Sequence, residues 1–131
     1  MSPAEEAFVS AFVDKARRER WAAGLADPRL RRKLLDRLWN AGSDWDSRHV
    51  KPLRLTGKRP EQIASLIGEL RRRGAGNAVH VLATDEDLDG RSLPLDQAID
   101  EFSADGGAVL ICGPGLALHF PESGDPLLLA R

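Results

Sequence analysis

Asp85-Glu86-Asp87-Leu88-Asp89-Gly90 fits the opening of a calcium loop. Oxygen ligands at alternate positions let a tight loop wrap a hard cation, and the glycine at the sixth position permits the sharp turn. Continuing the count, Asp96 takes the twelfth position, where a bidentate glutamate is usual. The candidate ligands are therefore Asp85, Asp87, Asp89 and Asp96. Three features oppose them. A predicted strand rather than a helix leads in, Ser92 holds a position that is normally apolar, and Pro94 lies inside the loop. The favoured reading is an acidic connection that uses Asp89-Gly90 for its turn, with no metal site.

Cys112, His80 and His119 offer a second chemistry, since an imidazole beside a thiol can generate a thiolate nucleophile. Each lies on a predicted strand, and no spacing brings them together. Buried structural Cys and His are the commoner outcome. His49 lies near Asp44 and Asp46, but the second group of ligands found in strong metal motifs is missing. Gly74-Ala75-Gly76 closes a helix and leads into a strand, the reverse of a phosphate loop. Gly113-Pro114-Gly115 lacks the serine of a nucleophile elbow. No catalytic residue and no cofactor is expected.

The remaining chemistry is cationic. Arg29, Arg32, Lys33 and Arg37 line one side of a predicted helix, Arg17, Arg18 and Arg20 end another, and Arg71-Arg72-Arg73 end a third. Clustered arginines suit phosphate, and Trp21, Trp39 and Trp45 could stack on bases. Basic residues also favour helix C-termini without any ligand, through the helix dipole. Net charge is −1. Residues 1–75 hold 17 Lys and Arg against 10 Asp and Glu, and residues 76–131 hold 2 against 10. That split fits either a nucleic-acid-facing half or two halves that attract each other within one fold. The near-zero total and the acids interspersed along the helices favour the second.

The elements that must position these residues are announced by capping and periodicity. Ser2 and Glu5 form a capping box, with Pro3 at the first helical position, for a first helix that ends by Gly24; Phe8, Val9, Phe12, Val13 and Ala16 are its apolar face, which is spent after Ala16. Asp27-Pro28 starts a second, with Leu30, Leu34, Leu35, Leu38 and Trp39 as its stripe. Arg31 falls among those leucines and is expected to point away from the core. Residues 43–59 read as irregular. A third helix spans Pro60–Arg73, with Ile63, Leu66, Ile67 and Leu70 on one face. Strands follow at 78–84, 108–112, 116–120 and 127–130, with a short helix at 95–102.

Helices followed by strands predict a single α+β domain over 1–131, three N-terminal helices and then a mostly antiparallel sheet with one short inserted helix. Residues 1–42 can pack as a helical hairpin, and 77–131 form the sheet region. Phe8, Phe12, Leu34, Leu38, Ile63, Ile67, Val81, Ile99, Leu110 and Leu118 are expected in one core. The 131 residues are enough for such a core. One cysteine cannot form an internal disulfide, no apolar run approaches the ~18 residues of a span, and the acidic N-terminus is unlike a signal sequence. A cytosolic protein off the membrane is expected.

Arg31-Arg32-Lys33-Leu34-Leu35-Asp36, Leu88-Asp89-Gly90 with Leu95 and Ala98, and Cys112-Gly113-Pro114-Gly115 followed by Leu116-Ala117 resemble a pattern in small uncharacterised bacterial proteins of unknown function. The resemblance implies a bacterial, stand-alone, single-domain protein and carries no activity. The expected role is a non-enzymatic binding or regulatory module with a macromolecular partner, most simply a protein. Its binding residues would be Arg29, Arg32, Lys33 and Arg37. The alternatives are a nucleic-acid-binding protein using the Arg-rich helices, and an enzyme or metal-binding protein centred on Cys112, His80 and His119 or on the Asp85–Asp96 loop.

Overall fold

In the computed structural model, which describes residues Met1–Arg131, Ser2 caps helix α1 (Pro3–Phe12). Its hydroxyl accepts from the Glu5 amide at 3.2 Å, and the Glu5 carboxylate accepts from the Ser2 amide at 3.4 Å. The helix stops well short of Gly24. Val13 turns into extended backbone and bridges to Trp45. The Asp14 amide donates to the Asp44 carbonyl, and the Asp46 amide donates to the Phe12 carbonyl. These cross-chain bonds replace helical ones, so the expected long helix is two helices. The chain resumes through a 3₁₀ turn at Lys15–Arg17 into α2 (Arg18–Ala26), and Ala16 is exposed.

Helix α3 (Pro28–Leu35) is capped by Asp27, whose carboxylate accepts from the Arg29 amide at 2.9 Å, and continues as a 3₁₀ turn through Trp39. The segment 43–59 is not wholly irregular, because it contains strand β1 (Val50–Pro52). Then follow α4 (Arg59–Arg72), β2 (Ala78–Ala83), β3 (Ser92–Pro94), α5 (Leu95–Asp105), β4 (Ala108–Gly113), β5 (Leu116–Phe120) and β6 (Leu127–Ala130). The six strands are ordered β1-β6-β5-β4-β2-β3, with every neighbouring pair antiparallel. The fold is α+β, but it has five α-helices rather than the expected three preceding and one inserted. The sheet also begins at residue 50, ahead of α4, rather than at 77. Both strands missed by periodicity, β1 and β3, are three residues long and end in proline. They are the sheet edges, where short length and proline discourage pairing with another chain.

Helices cover both faces of the sheet, which divides the apolar residues into two clusters instead of one core. Under α1, α2 and α3 lie Phe8, Phe12, Trp21, Leu34, Leu35, Leu38 and Trp45, packed on Leu82, Val109, Ile111, Ala117 and Leu129. Under α4 and α5 lie Leu66, Leu70, Leu95, Ile99 and Phe102, packed on Val81, Leu110, Leu118 and Leu128. The strand residues of the two sets alternate because side chains on a strand point to opposite faces. Ile63 and Ile67, expected to be buried, are only partly so, because α4 has α5 and the sheet on one side and solvent on the other.

Candidate partner-binding face

Arg31 does not point away from the core. All five of its N–H groups are engaged. Nη1 and Nη2 donate to the two Glu5 oxygens at 2.9 Å each, Nε and Nη2 donate to Asp89 at 2.8 and 3.2 Å, and Nη1 also reaches the Leu25 carbonyl at 3.2 Å. Asp89 in addition accepts from the Ala83 amide at 3.1 Å. His80 Nε2 donates to Glu5 Oε2 at 2.6 Å. Glu5 is 2% exposed. Burial pushes its carboxyl up, but the bonds from Arg31 and His80 outweigh this and leave its pKa at about 2. The group therefore ties α1, α3, β2 and the β2–β3 connection together as a closed set of charges.

A second closed set surrounds Asp44, which is fully buried. It accepts from Trp21 Nε1 at 3.0 Å and from Arg37 at 2.8 and 2.6 Å, with Arg17 at 3.2 Å. Burial opposes the charge, and the Arg37 and Trp21 bonds prevail, so its pKa is lowered. His119, also fully buried, accepts from Trp45 Nε1 at Nδ1 (3.0 Å) and donates from Nε2 to the Leu38 carbonyl at 2.7 Å. Those two bonds define a neutral imidazole, and burial lowers its pKa. No buried side-chain nitrogen or oxygen is left without a partner.

The residues singled out for metal or thiol chemistry are dispersed. Asp89 is committed to Arg31, Asp96 pairs with Arg71 at 3.3 Å, and Asp85 accepts from the Asp87 amide at 2.9 Å, an Asx turn. No group of three or more His, Cys, Asp or Glu side chains is placed to share a metal ion. Cys112 contacts the Leu110 carbonyl and packs with the α4–α5 cluster, whereas His80 and His119 bond to Glu5 and to Trp45 and Leu38. Burial pushes the Cys112 thiol up to about 12, which disfavours the thiolate.

The four expected binding cations separate into two pairs. Arg32 turns to the Thr84 carbonyl and pairs with Glu86 at 2.9 Å, and Arg37 is held by Asp44. Arg29 and Lys33 are exposed and make no ion pair. Four bridges, Arg31–Asp89, Arg32–Glu86, Arg59–Asp100 and Arg71–Asp96, join the basic first part of the chain to the acidic last part. Much of the charge split is thus spent inside the fold.

One of the open grooves, of about 420 Å³, lies between α2 and α3 beside the unpaired cations. It is lined by Ala23, Gly24 and Leu34 together with the cations Arg20, Lys33 and Arg37. The helices approach this closely because α2 has glycine at position 24. A Cβ there would stand 2.6 Å from Leu34 Cδ2. Leu30 lies in the groove and is 49% exposed, although its spacing places it on the apolar stripe. It sits in the first turn of an eight-residue helix, ahead of the stretch that reaches the sheet. Leu30 and Arg20 were not among the expected binding residues. The signal that was present is the i, i+3, i+4, i+7 spacing of Leu30, Lys33, Leu34 and Arg37, which mixes apolar and basic residues on one side of the helix. The chain matches no protein-family model, no curated protein and no solved structure.

Proposed function

We propose that the protein is a non-enzymatic binding module whose partner is another protein, docked on the α2–α3 face. One contrast carries this reading. The buried ionisable groups under the N-terminal helices are spent on partners within the fold, while the groove above them keeps unpaired cations around an exposed leucine. Catalysis calls for a convergent set of groups free to act on a substrate, and Glu5, His80, Asp44 and His119 are each occupied. An exposed apolar residue ringed by polar ones is the composition of a small protein interface. No helix is long and apolar enough to cross a membrane.

The test is covalent capture in extracts of the native cell. A photo-crosslinking residue is introduced by Lys33→p-benzoylphenylalanine, and in a second variant by Arg72→p-benzoylphenylalanine on the opposite layer. A discrete, nuclease-resistant protein adduct from the first variant alone is expected. Nuclease-sensitive adducts would favour nucleic acid. Adducts from neither position, or from Arg72 alone, would overturn the assignment.

A further inference from the structure

We propose that the α2–α3 groove seats an acidic amphipathic protein segment, which presents an apolar side chain to Leu30 and carboxylates about one helical turn to either side. The inference rests on the protein-binding reading above and names the chemistry of the partner.

Leu30 is one of only two large apolar residues exposed on the molecule, the other being Met1. An apolar contact at its position removes a surface that the fold itself leaves wet. Around it the charge is of one sign. Arg20 and Lys33 make no ion pair, and Arg37 is clamped by Asp44 so that its guanidinium is fixed at the groove. Arg29 extends the positive area one turn before Lys33. No carboxylate lines the groove, and the exposed acids Glu19 and Asp36 lie outside it. Leu34 already packs on the bare backbone at Gly24, which is buried, so an incoming side chain meets Ala23, Leu30 and Leu34 rather than open α2 backbone. From Leu30 to Arg37 the basic-apolar stripe spans two helical turns, the reach of a short segment that anchors through residues three or four apart.

Complementarity is poorer for nucleic acid. Tracking a phosphate backbone calls for a row of free cations, and Arg32 interrupts the row by turning to Thr84 and Glu86. The centre of the site is a leucine, which offers a base neither a donor nor an aromatic face to stack on.

Fluorescence anisotropy on the full chain tests the proposal. The probe is a labelled synthetic peptide with leucines at i, i+3, i+4 and i+7 and glutamates elsewhere. Leu→Ser and Glu→Lys versions of the peptide and a random single-stranded RNA serve as comparisons. The leucine–glutamate peptide is expected to bind with a Kd below about 1 mM, and neither altered peptide to match it. Leu30→Ser and Lys33→Glu should each weaken it about tenfold, a change typical of an anchor in a small interface. Both residues are exposed, so both variants should keep the parent's thermal midpoint. Lys51→Glu makes the same charge change on β1, outside the groove, and should alter binding by less than about twofold. The proposal is overturned by absence of peptide binding, by indifference to Leu30→Ser, by an equal loss in Lys51→Glu, or by tighter binding of the RNA. Capture of a protein through position 33 alongside failure of the peptide would retire the acidic-segment chemistry and leave the binding-module reading standing. Failure of capture from both positions would retire both.

Discussion

The two faces of the sheet are stabilised in different ways. Under α1–α3 lie all four buried charged or polar residues, Glu5, Asp44, Asp46 and His119, each in hydrogen bonds that cross between elements or close a turn. Under α4 and α5 the contacts are apolar, and the ion pairs of that layer, such as Arg59–Asp100 and Arg73–Glu69, lie at the surface. Apolar packing is non-directional and accepts small shifts. A guanidinium with every donor engaged accepts one arrangement. The first layer therefore fixes where α1, α3 and β2 sit relative to one another, and it is also the layer that presents the α2–α3 groove.

The sharpest break in the comparison is Arg31→Met. It leaves the buried Glu5 carboxylate with His80 alone and the partly buried Asp89 without its counter-ion, and should cost about 3–5 kcal/mol of unfolding free energy in denaturant titration. Replacing the set together, as Glu5→Leu, Arg31→Met and Asp89→Asn, should recover most of that loss, because no charge is then stranded. A triple variant as unstable as the single one would show that the ion network is needed for stability itself.

Leu70→Ala, deep in the opposite layer, should cost about 2–5 kcal/mol by opening a cavity. Combined with Arg31→Met, the two losses should add to within about 0.5 kcal/mol, because the side chains share no partner across the sheet. A larger coupling would mean that the sheet transmits strain between its faces.

Acid should attack the layers unequally. His119 is neutral in the folded protein and its pKa is lowered from 6.5 by burial. The unfolded chain then takes up a proton that the folded one refuses. Stability should be full above pH 6.5 and fall as pH drops below it, by about 1.4 kcal/mol for each unit separating the two pKa values. Glu5 adds a second loss below about 4.5, its unfolded value, as pH approaches its folded value of about 2. In His119→Asn the first phase should vanish while the second remains. A loss between pH 6.5 and 5 that persists in this variant would assign it to another group.

The smallest effects belong to the surface pairs over α4 and α5. Arg59→Ala and Arg73→Ala should each change stability by about 1 kcal/mol or less, with the difference shrinking in high salt.

The layered design was partly legible in the residues. The capping box at Ser2 and Glu5, the stripes of α4 and α5 and the last three strands follow from local spacing, and the structure has them. The runs Ala-Val-Leu-Ile in β4 and Leu-Leu-Leu in β6 also carried a sign of two-sided burial, since a strand with one wet face alternates. The ion networks left no local trace. Arg31 meets Glu5 across 26 residues of sequence and Asp89 across 58, and His80 meets Glu5 across 75. A basic residue among leucines could be read only as one that escapes the core, until a distant carboxylate supplies the reason for it to stay. The interruption of the first helix is of the same kind, because the Val13–Trp45 bridge that causes it lies in a loop with no periodicity of its own. Of the groove, the sequence showed the cations on α3 but neither which of them would be spent internally nor the exposure of Leu30.

The indoles have an optical consequence. Trp21 and Trp45 pack 5.2 Å apart within the α1–α3 layer, Trp39 lies against Gly107 at the edge of the same layer, and the chain has no tyrosine. Intrinsic emission is therefore a largely one-sided reporter. It follows chiefly the loosening of the N-terminal helices through Trp21 and Trp45, with Trp39 also sensing the end of α5, whereas far-ultraviolet circular dichroism sums over every helix. If the layers melt together, the two signals trace one curve. If α4 and α5 release first, ellipticity falls while the emission of Trp21 and Trp45 stays in place, and the order of disassembly can be read without a label.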